Sequence, residues 1–415
     1  MKLKQFFRSL FRRVMFFLAI LGPGLITASA DNDASGIATY SLVGSNYGYR
    51  MLWIIVVVTF GEVVVAEMSA RMGAVTGKGT SDLIRENFGV RVAFFSMICL
   101  LIANLGTTVG QFAGIAAGAE LFGISRYLAV PLVALLLILI VIAGSYFIVE
   151  KFLLVLSLFS LSYIASAFMG KPDWGLVLKD ALVPTFDSSP MFLLVVLATV
   201  GTTITPWGIC YIQSSVADKG VGIKDYKYTR LDVVIGSAWG NVVSAFIIIA
   251  TAATLFANNI RVESAEQAAM ALEPLMGTGA KALFSIGLLG ASVLAGSVLP
   301  LATAYSLCEA FGWERGLDKK FKEAPVYYAI FISVIIISAL IILIPRMPLF
   351  SVMWLSQTLN AIFLPLLLVL VLKLVNKPRL MGKMVNTRFQ NIAGVVLTIA
   401  ISLITVLLLV TSFLN

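Results

Sequence analysis

The chain contains no histidine. Histidine is the one side chain whose ordinary titration falls between pH 5 and 8, so a proton relay here would have to rest on other groups. Charge is scarce as well. Asp, Glu, Lys and Arg make up 12% of the 415 residues, about half of the ~25% found in soluble domains, which excludes an ordinary water-soluble domain. There are three cysteines, Cys99, Cys210 and Cys308, each inside an apolar run. Their spacing fits neither a disulfide framework nor a metal knuckle, and they read as small core residues.

What is present is apolar. Hydrophobic residues make up 60% of the chain, gathered into runs of about 20 residues or more, the length a helix needs to cross hydrocarbon. The chain therefore reads as an all-α polytopic membrane protein, multi-pass in the cell membrane. Hydropathy places eleven spans near 14–44, 49–72, 90–122, 127–147, 148–169, 191–216, 230–257, 279–310, 325–345, 349–374 and 388–413. The basic start, MKLKQFFRSLFRR, looks like the opening of a signal peptide. The apolar run after it lacks a small-residue cleavage site, so the segment is expected to be retained.

Lys and Arg are distributed unevenly. The N-terminus and the connections after even-numbered spans hold 23 of the 30. The opposite side holds Arg50, Arg126, Lys171, Lys179, Arg261, Lys281 and Arg346. By the positive-inside rule the N-terminus is cytoplasmic and Asn415 external. The net charge of +9 is thus a topology signal with lipid phosphates as its neighbours. It does not indicate a nucleic-acid partner, and nothing points to an obligate protein partner.

The first span carries GPGLITASADNDASGIATYSLVGSNYG, residues 22–48. Asp31 and Asp33 stand in a segment whose glycines and small polar residues interrupt a helix. A carboxylate at membrane depth is costly unless a cation, a partner or water compensates it. Broken backbone survives there only where it lines a site or cavity. The sixth span carries a second interruption, GTTITPWGICYIQSS at 201–215, where Pro206 removes a ladder donor and disfavours helical geometry at Thr205. Gly36-Ile37 and Gly208-Ile209 lie 172 residues and five spans apart. An odd number of spans inverts the second unit, and paired interruptions in inverted halves mark a transporter's central site. The expected architecture is one transmembrane domain over 1–415: a five-plus-five inverted repeat (14–169 and 191–374) with an added helix at 388–413.

From Gly22 to about Leu374 these residues resemble the natural resistance-associated macrophage protein (Nramp) family of divalent-metal transporters. GPG followed by Asp33 is similar to the family's first-helix DPGN motif. Thr205-Pro206-Trp207 stands where the family has MPH, with Gln213-Ser214 in place of His-Ser. LSQTLNAIFLP at 355–365 resembles the tenth-helix glutamine motif, with Gln357 matching. The resemblance implies the LeuT-type inverted repeat, with Asp33 and Gln357 as cation ligands. It also implies a transported cation as substrate rather than a cofactor, and no enzymatic activity.

The departures narrow the expectation. Gly36 replaces the DPGN asparagine, leaving only a backbone carbonyl. Thr205 replaces the methionine, exchanging a soft thioether for a hydroxyl. Hard oxygen ligands suit Mg²⁺, which holds its waters tightly and uses one or two carboxylates. The pattern is similar to the divergent Nramp-related magnesium transporters, with Mn²⁺ also compatible. Trp207 and Gln213 occupy the histidine positions and the ninth span is uncharged, so transport is expected to be uncoupled from protons and driven by membrane potential. Asp31 and Asp33 are the acceptors that would remain for a proton.

Asp31 lines the vestibule, caps the half-helix or contacts the ion. Asn32 offers a carbonyl or amide to the ion or its hydration water. Glu67 is expected to be solvated or paired with Arg71, while the deeper Glu62 either pairs with a gating element or lines the inner vestibule. Gln111 and Asn104 fit a vestibule or helix–helix hydrogen bonds equally, and Gly106, Gly110, Gly114 and Gly118 read as close-packing positions. Two other classes remain open. The same fold hosts symporters for amino acids and other organic solutes, although an aspartate at the break repels a substrate carboxylate. A membrane hydrolase would need a second carboxylate on the same side, and residues at i and i+2 of a helix diverge.

Overall fold

A computed structural model describes residues 32–143, 158–316 and 319–414, and they are helical throughout apart from short connections. The main helices are α1 (Ala34–Tyr47), α2 (Leu52–Thr76), α3 (Thr80–Phe88), α4 (Val90–Leu121), α5 (Arg126–Ile142), α6 (Ser162–Met169) and α7 (Pro190–Thr203). They continue as α8 (Pro206–Asp218), α9 (Tyr226–Thr254), α10 (Ala280–Phe311), α11 (Pro325–Ile342), α12 (Leu349–Val375) and α13 (Arg388–Leu414). Eight spans are long and apolar enough to cross a membrane, with α7 and α8 as two pieces of one of them, and α5 is a shorter apolar helix. The first and fifth expected spans appear as α1 and α6, their preceding residues lying outside the described part. Among the described residues, a helix overlaps each of the eleven expected spans.

The local chemistry explains where helices begin and stop. α7 opens on Pro190 behind Ser189, whose hydroxyl accepts the Phe192 N–H, the favoured arrangement at a helix start. α2 stops at Gly77, which adopts the left-handed conformation at φ +63° that glycine takes without a Cβ penalty. Two connections carry short helices of their own: Trp174–Leu182 in one, and Ala265–Ala269 and Glu273–Met276 in the 258–277 region.

Inside a bilayer, apolar helices gain little by leaving lipid, so close packing through small residues must hold them together. α4 shows this. A Cβ added at Gly110 would overlap the Ser35 hydroxyl, and one at Gly114 would overlap the Ala34 methyl and the Ser292 hydroxyl. The start of α1 thus seats against a glycine-lined track, as the spacing suggested. α12 approaches α7 in the same way, since a Cβ on Gly201 would overlap the Gln357 carbonyl. α1 packs on α9 and α12, and α8 packs on α2.

Candidate functional site

At both expected interruptions a helix starts on a side-chain cap, and the two caps have equivalent geometry. In the first, Asp33 sits in extended backbone and its Oδ1 accepts the Gly36 N–H at 2.7 Å. In the second, Thr205 is extended and its hydroxyl accepts the Gly208 N–H at 3.2 Å. Asp33 and Thr205 are 172 residues apart, as are Gly36 and Gly208, so the two N-caps are counterparts in the two repeats. Each side chain replaces an intrahelical partner that the first turn lacks. From these caps α1 and α8 run to opposite faces, given the alternation of spans between them.

The first interruption lies upstream of Gly36-Ile37, where the sequence placed it. Gly36 is already in the first turn of α1, and its carbonyl points along the helix toward the next turn. The residue belongs to the Asp33 cap.

Asp33 is 3% exposed and held on both sides. Its Oδ2 accepts from Gln111 Nε2 at 2.6 Å, while Gln111 Oε1 accepts the Ala34 N–H at 3.2 Å. Gln111, on α4, is the partner of Asp33 that sequence reasoning left undecided. No basic side chain pairs with Asp33 among the described residues. Asn32 turns the other way: its amide donates to the Gly240 carbonyl and accepts from the Ser244 hydroxyl, both at 3.1 Å, on α9. Asp31 lies outside the described residues.

The second break adds oxygen donors. Thr202 would normally give its carbonyl to residue 206, but Pro206 has no N–H, so that oxygen stays outside the helical ladder. The Thr202 hydroxyl is also buried without a hydrogen-bond partner among the described residues. Sequence reasoning missed Thr202, although the position four before a proline is the signal that finds it. Gln357 stands on α12 facing α7. Its Oε1 accepts from Asn360 Nδ2 at 2.7 Å, and the same amide donates to the Gly201 carbonyl at 3.3 Å. The structure thus joins Gln357 to the sixth-span break, while Asp33 is met by Gln111. Two narrow cavities meet here, each just large enough for one water-sized sphere. One is lined by Glu62, Thr203, Thr205 and Gly208, the other by Asn32, Glu62, Thr203 and Asn241. Among the described residues, no group of three or more His, Cys, Asp or Glu side chains gathers as a protein-only metal cage.

Beyond the centre, the far end of α8 is fastened. Thr80 donates to Gln213 Oε1 at 2.7 Å, Gln213 Nε2 donates to the Lys78 carbonyl at 2.9 Å, and Ser214 donates to Glu309 Oε1 at 2.7 Å. Gly79 lies flush on the Glu309 carboxylate. Arg315 joins this group, reaching Asp82 at 2.9 Å and Glu309 at 3.6 Å. Partial burial raises the Asp82 pKa, opposed by Arg315 and Arg85. Glu67 is paired with Arg71 at 3.3 Å, as expected, and additionally accepts from Gln390 of α13 at 2.8 Å. Gln213 and Ser214 therefore anchor α8 where the family pattern has His-Ser.

A family model described as Natural resistance-associated macrophage protein-like matches residues 24–411. The chain belongs to the Nramp-like family. Relatives of this Nramp chain include the divalent metal cation transporter MntH of Erwinia tasmaniensis, 28% identical over 94% of each chain. MntH of Bacillus subtilis is 26% identical over 95% of this chain and 93% of the relative. Among solved structures, a manganese transporter of Eremococcus coleocola, in complex with an aromatic bis-isothiourea compound, superposes with a TM-score of 0.75 at 23% identity, covering 95% of this chain and 86% of that one. Mhp1, a nucleobase-cation-symport-1 family transporter, superposes at 0.56 with 16% identity, covering 95% and 90%. The Nramp chain thus has the LeuT-type fold with helices one and six broken. Because Mhp1 shares that fold, the fold alone does not choose the substrate.

Proposed function

We propose that this Nramp-family chain carries divalent cations into the cytoplasm by alternating access, Mg²⁺ by preference with Mn²⁺ admitted, without moving protons. The observation that carries the reading is the donor set at the two breaks. It combines the Asp33 carboxylate, with no basic partner among the described residues, with neutral oxygens at the second break, the Thr205 hydroxyl standing where the family has a methionine thioether. A negative centre attracts a cation and repels an organic carboxylate, which speaks against an amino-acid symporter. Hard oxygens with room for retained water suit Mg²⁺ and Mn²⁺ better than soft ions. The names of the MntH relatives support the divalent-cation class. The absence of histidine from the chain supports the uncoupled mechanism. The inward-negative potential then supplies roughly 4.6 kcal/mol per divalent ion at 100 mV.

Proteoliposomes loaded with a pH-sensitive dye test both parts. A negative-inside potential is expected to drive Mg²⁺ and Mn²⁺ uptake without acidifying the lumen, and collapsing it is expected to slow uptake. Acidification in proportion to uptake refutes the uncoupled mechanism. Cd²⁺ uptake exceeding that of Mg²⁺ refutes the selectivity.

A further inference from the structure

We propose that Glu62 forms a second divalent-cation site, separate from Asp33, in the cavity it shares with Asn32, Thr203, Ser237, Asn241 and Ser244. This rests on the reading of the chain as a divalent-cation transporter and adds to it a second carboxylate on the ion's route.

Glu62 lies ten residues into α2, about 15 Å from Leu52 and about 21 Å from Thr76 by helical rise, which is mid-depth in the span. It is 8% exposed. Three other carboxylates in the spans have an arginine: Glu67 has Arg71, Glu120 has Arg126 and Glu309 has Arg315. Glu62 has no such cation among the described residues. It accepts hydrogen bonds from the Asn241 amide, through Oε2, and from the Ser237 hydroxyl. A buried carboxylate held only by a neutral hydroxyl and a neutral amide is an unbalanced charge, and at membrane depth such charges mark ion pathways.

The cavities supply the second argument. Glu62 and Thr203 line both of them, so these two residues connect the cavity beside Thr205 to the cavity beside Asn32. The donors around the latter are hydroxyls and amides on α1, α2, α7 and α9, with no sulfur, which suits a hard divalent ion. Asn32 links the two sites, because it adjoins Asp33 in the chain while its side chain is tied to α9 at Gly240 and Ser244. The carboxylates of Asp33 and Glu62 engage different helices: Asp33 is held by Gln111 of α4, Glu62 by Asn241 of α9.

The test counts Mn²⁺ bound to the purified full-length protein, from the loss of the free-ion paramagnetic resonance signal, and pairs the count with Mn²⁺ uptake. Wild type is expected to bind two ions. Glu62→Gln, which can still pair with Asn241, is expected to bind one with unchanged affinity and to transport about tenfold more slowly, the lower end of losses seen on removing groups around metal sites. Glu62→Asp keeps the charge and is expected to retain both ions, which separates a ligand from a packing role. Two ions bound to Glu62→Gln overturn the proposal, as does a single ion in wild type whose affinity Glu62→Gln leaves unchanged or merely weakens. Asp33→Asn reports on the underlying reading instead. If it removes the other ion while Glu62→Gln removes none, the Asp33 site stands and the Glu62 site falls.

Discussion

Asp33→Asn is the most informative substitution because its structural cost is calculable. The amide oxygen can still cap Gly36, preserving about 1 kcal/mol of helix-start stabilisation. It loses the bond from Gln111 Nε2 at 2.6 Å, because an amide of the same orientation presents N–H to N–H. A hydrogen bond to a charged group contributes about 1.5–3 kcal/mol. Removing the charge relieves a membrane-burial cost of about 2.5–3.5 kcal/mol on the insertion scale. The net effect on the metal-free protein is therefore between about −0.5 and +2 kcal/mol of added stability. Metal-induced stabilisation behaves differently. Wild type is expected to gain about 2.7 kcal/mol from the Asp33 site with Mg²⁺ or Mn²⁺ at 100 times Kd, and the variant is expected to lose that part of the shift. Thermal unfolding in detergent, with and without metal, reads both numbers. A variant that is as stable as wild type and shifts by the same amount with metal refutes the assignment of Asp33 as the ligand.

Two further substitutions follow from the same geometry. Thr205→Met removes the Gly208 cap, at about 1 kcal/mol, and adds a thioether, so Cd²⁺ binding is expected to rise relative to Mg²⁺ in calorimetric titrations, while Thr205→Ser keeps both cap and selectivity. An unchanged ratio in the methionine variant places the ion away from the sixth-span break. Gly79→Ala puts a methyl into the Glu309 carboxylate and is expected to loosen the Thr80–Gln213 fastening, seen as faster amide exchange in α8 while metal affinity at the centre is unchanged. Exchange in α8 equal to that of wild type means the loop is not part of the fastening.

The spans, both breaks and their 172-residue offset were legible because each rests on a local rule: length for a membrane helix, proline and glycine for an interruption, repetition for symmetry. Partnership across helices was not legible. Gln111 and Asn104 are seven residues apart on α4 and equally buried, yet Gln111 holds Asp33 whereas Asn104 donates to Thr303 of α10 at 2.9 Å. A membrane helix that is apolar all round carries no stripe to show which face looks inward. The residue at which α1 starts was not legible either, for a different reason. The DNDASG run fits a break at several adjacent positions, and only the Asp33 cap fixes which residue starts the helix. The helix α3 went unread because its nine residues fall between two spans and match neither a membrane length nor a motif.

The three bonds that fasten the far end of α8 set how often that end is free. At about 0.5–1.5 kcal/mol each, releasing all three together costs about 1.5–4.5 kcal/mol, so between about one molecule in thirteen and one in two thousand stands unlatched at any moment. α8 starts at the Thr205 cap, some 12 Å from Gln213 by helical rise, so a tilt of a few degrees at the break would become an ångström-scale gap at the fastening. If the proposed transport cycle releases its ion past α8, the occupancy of that unlatched fraction is an upper limit on the share of time available for release. A substitution at Thr80, Gln213 or Ser214 would change the turnover rate through this fraction without altering any ligand of the ion.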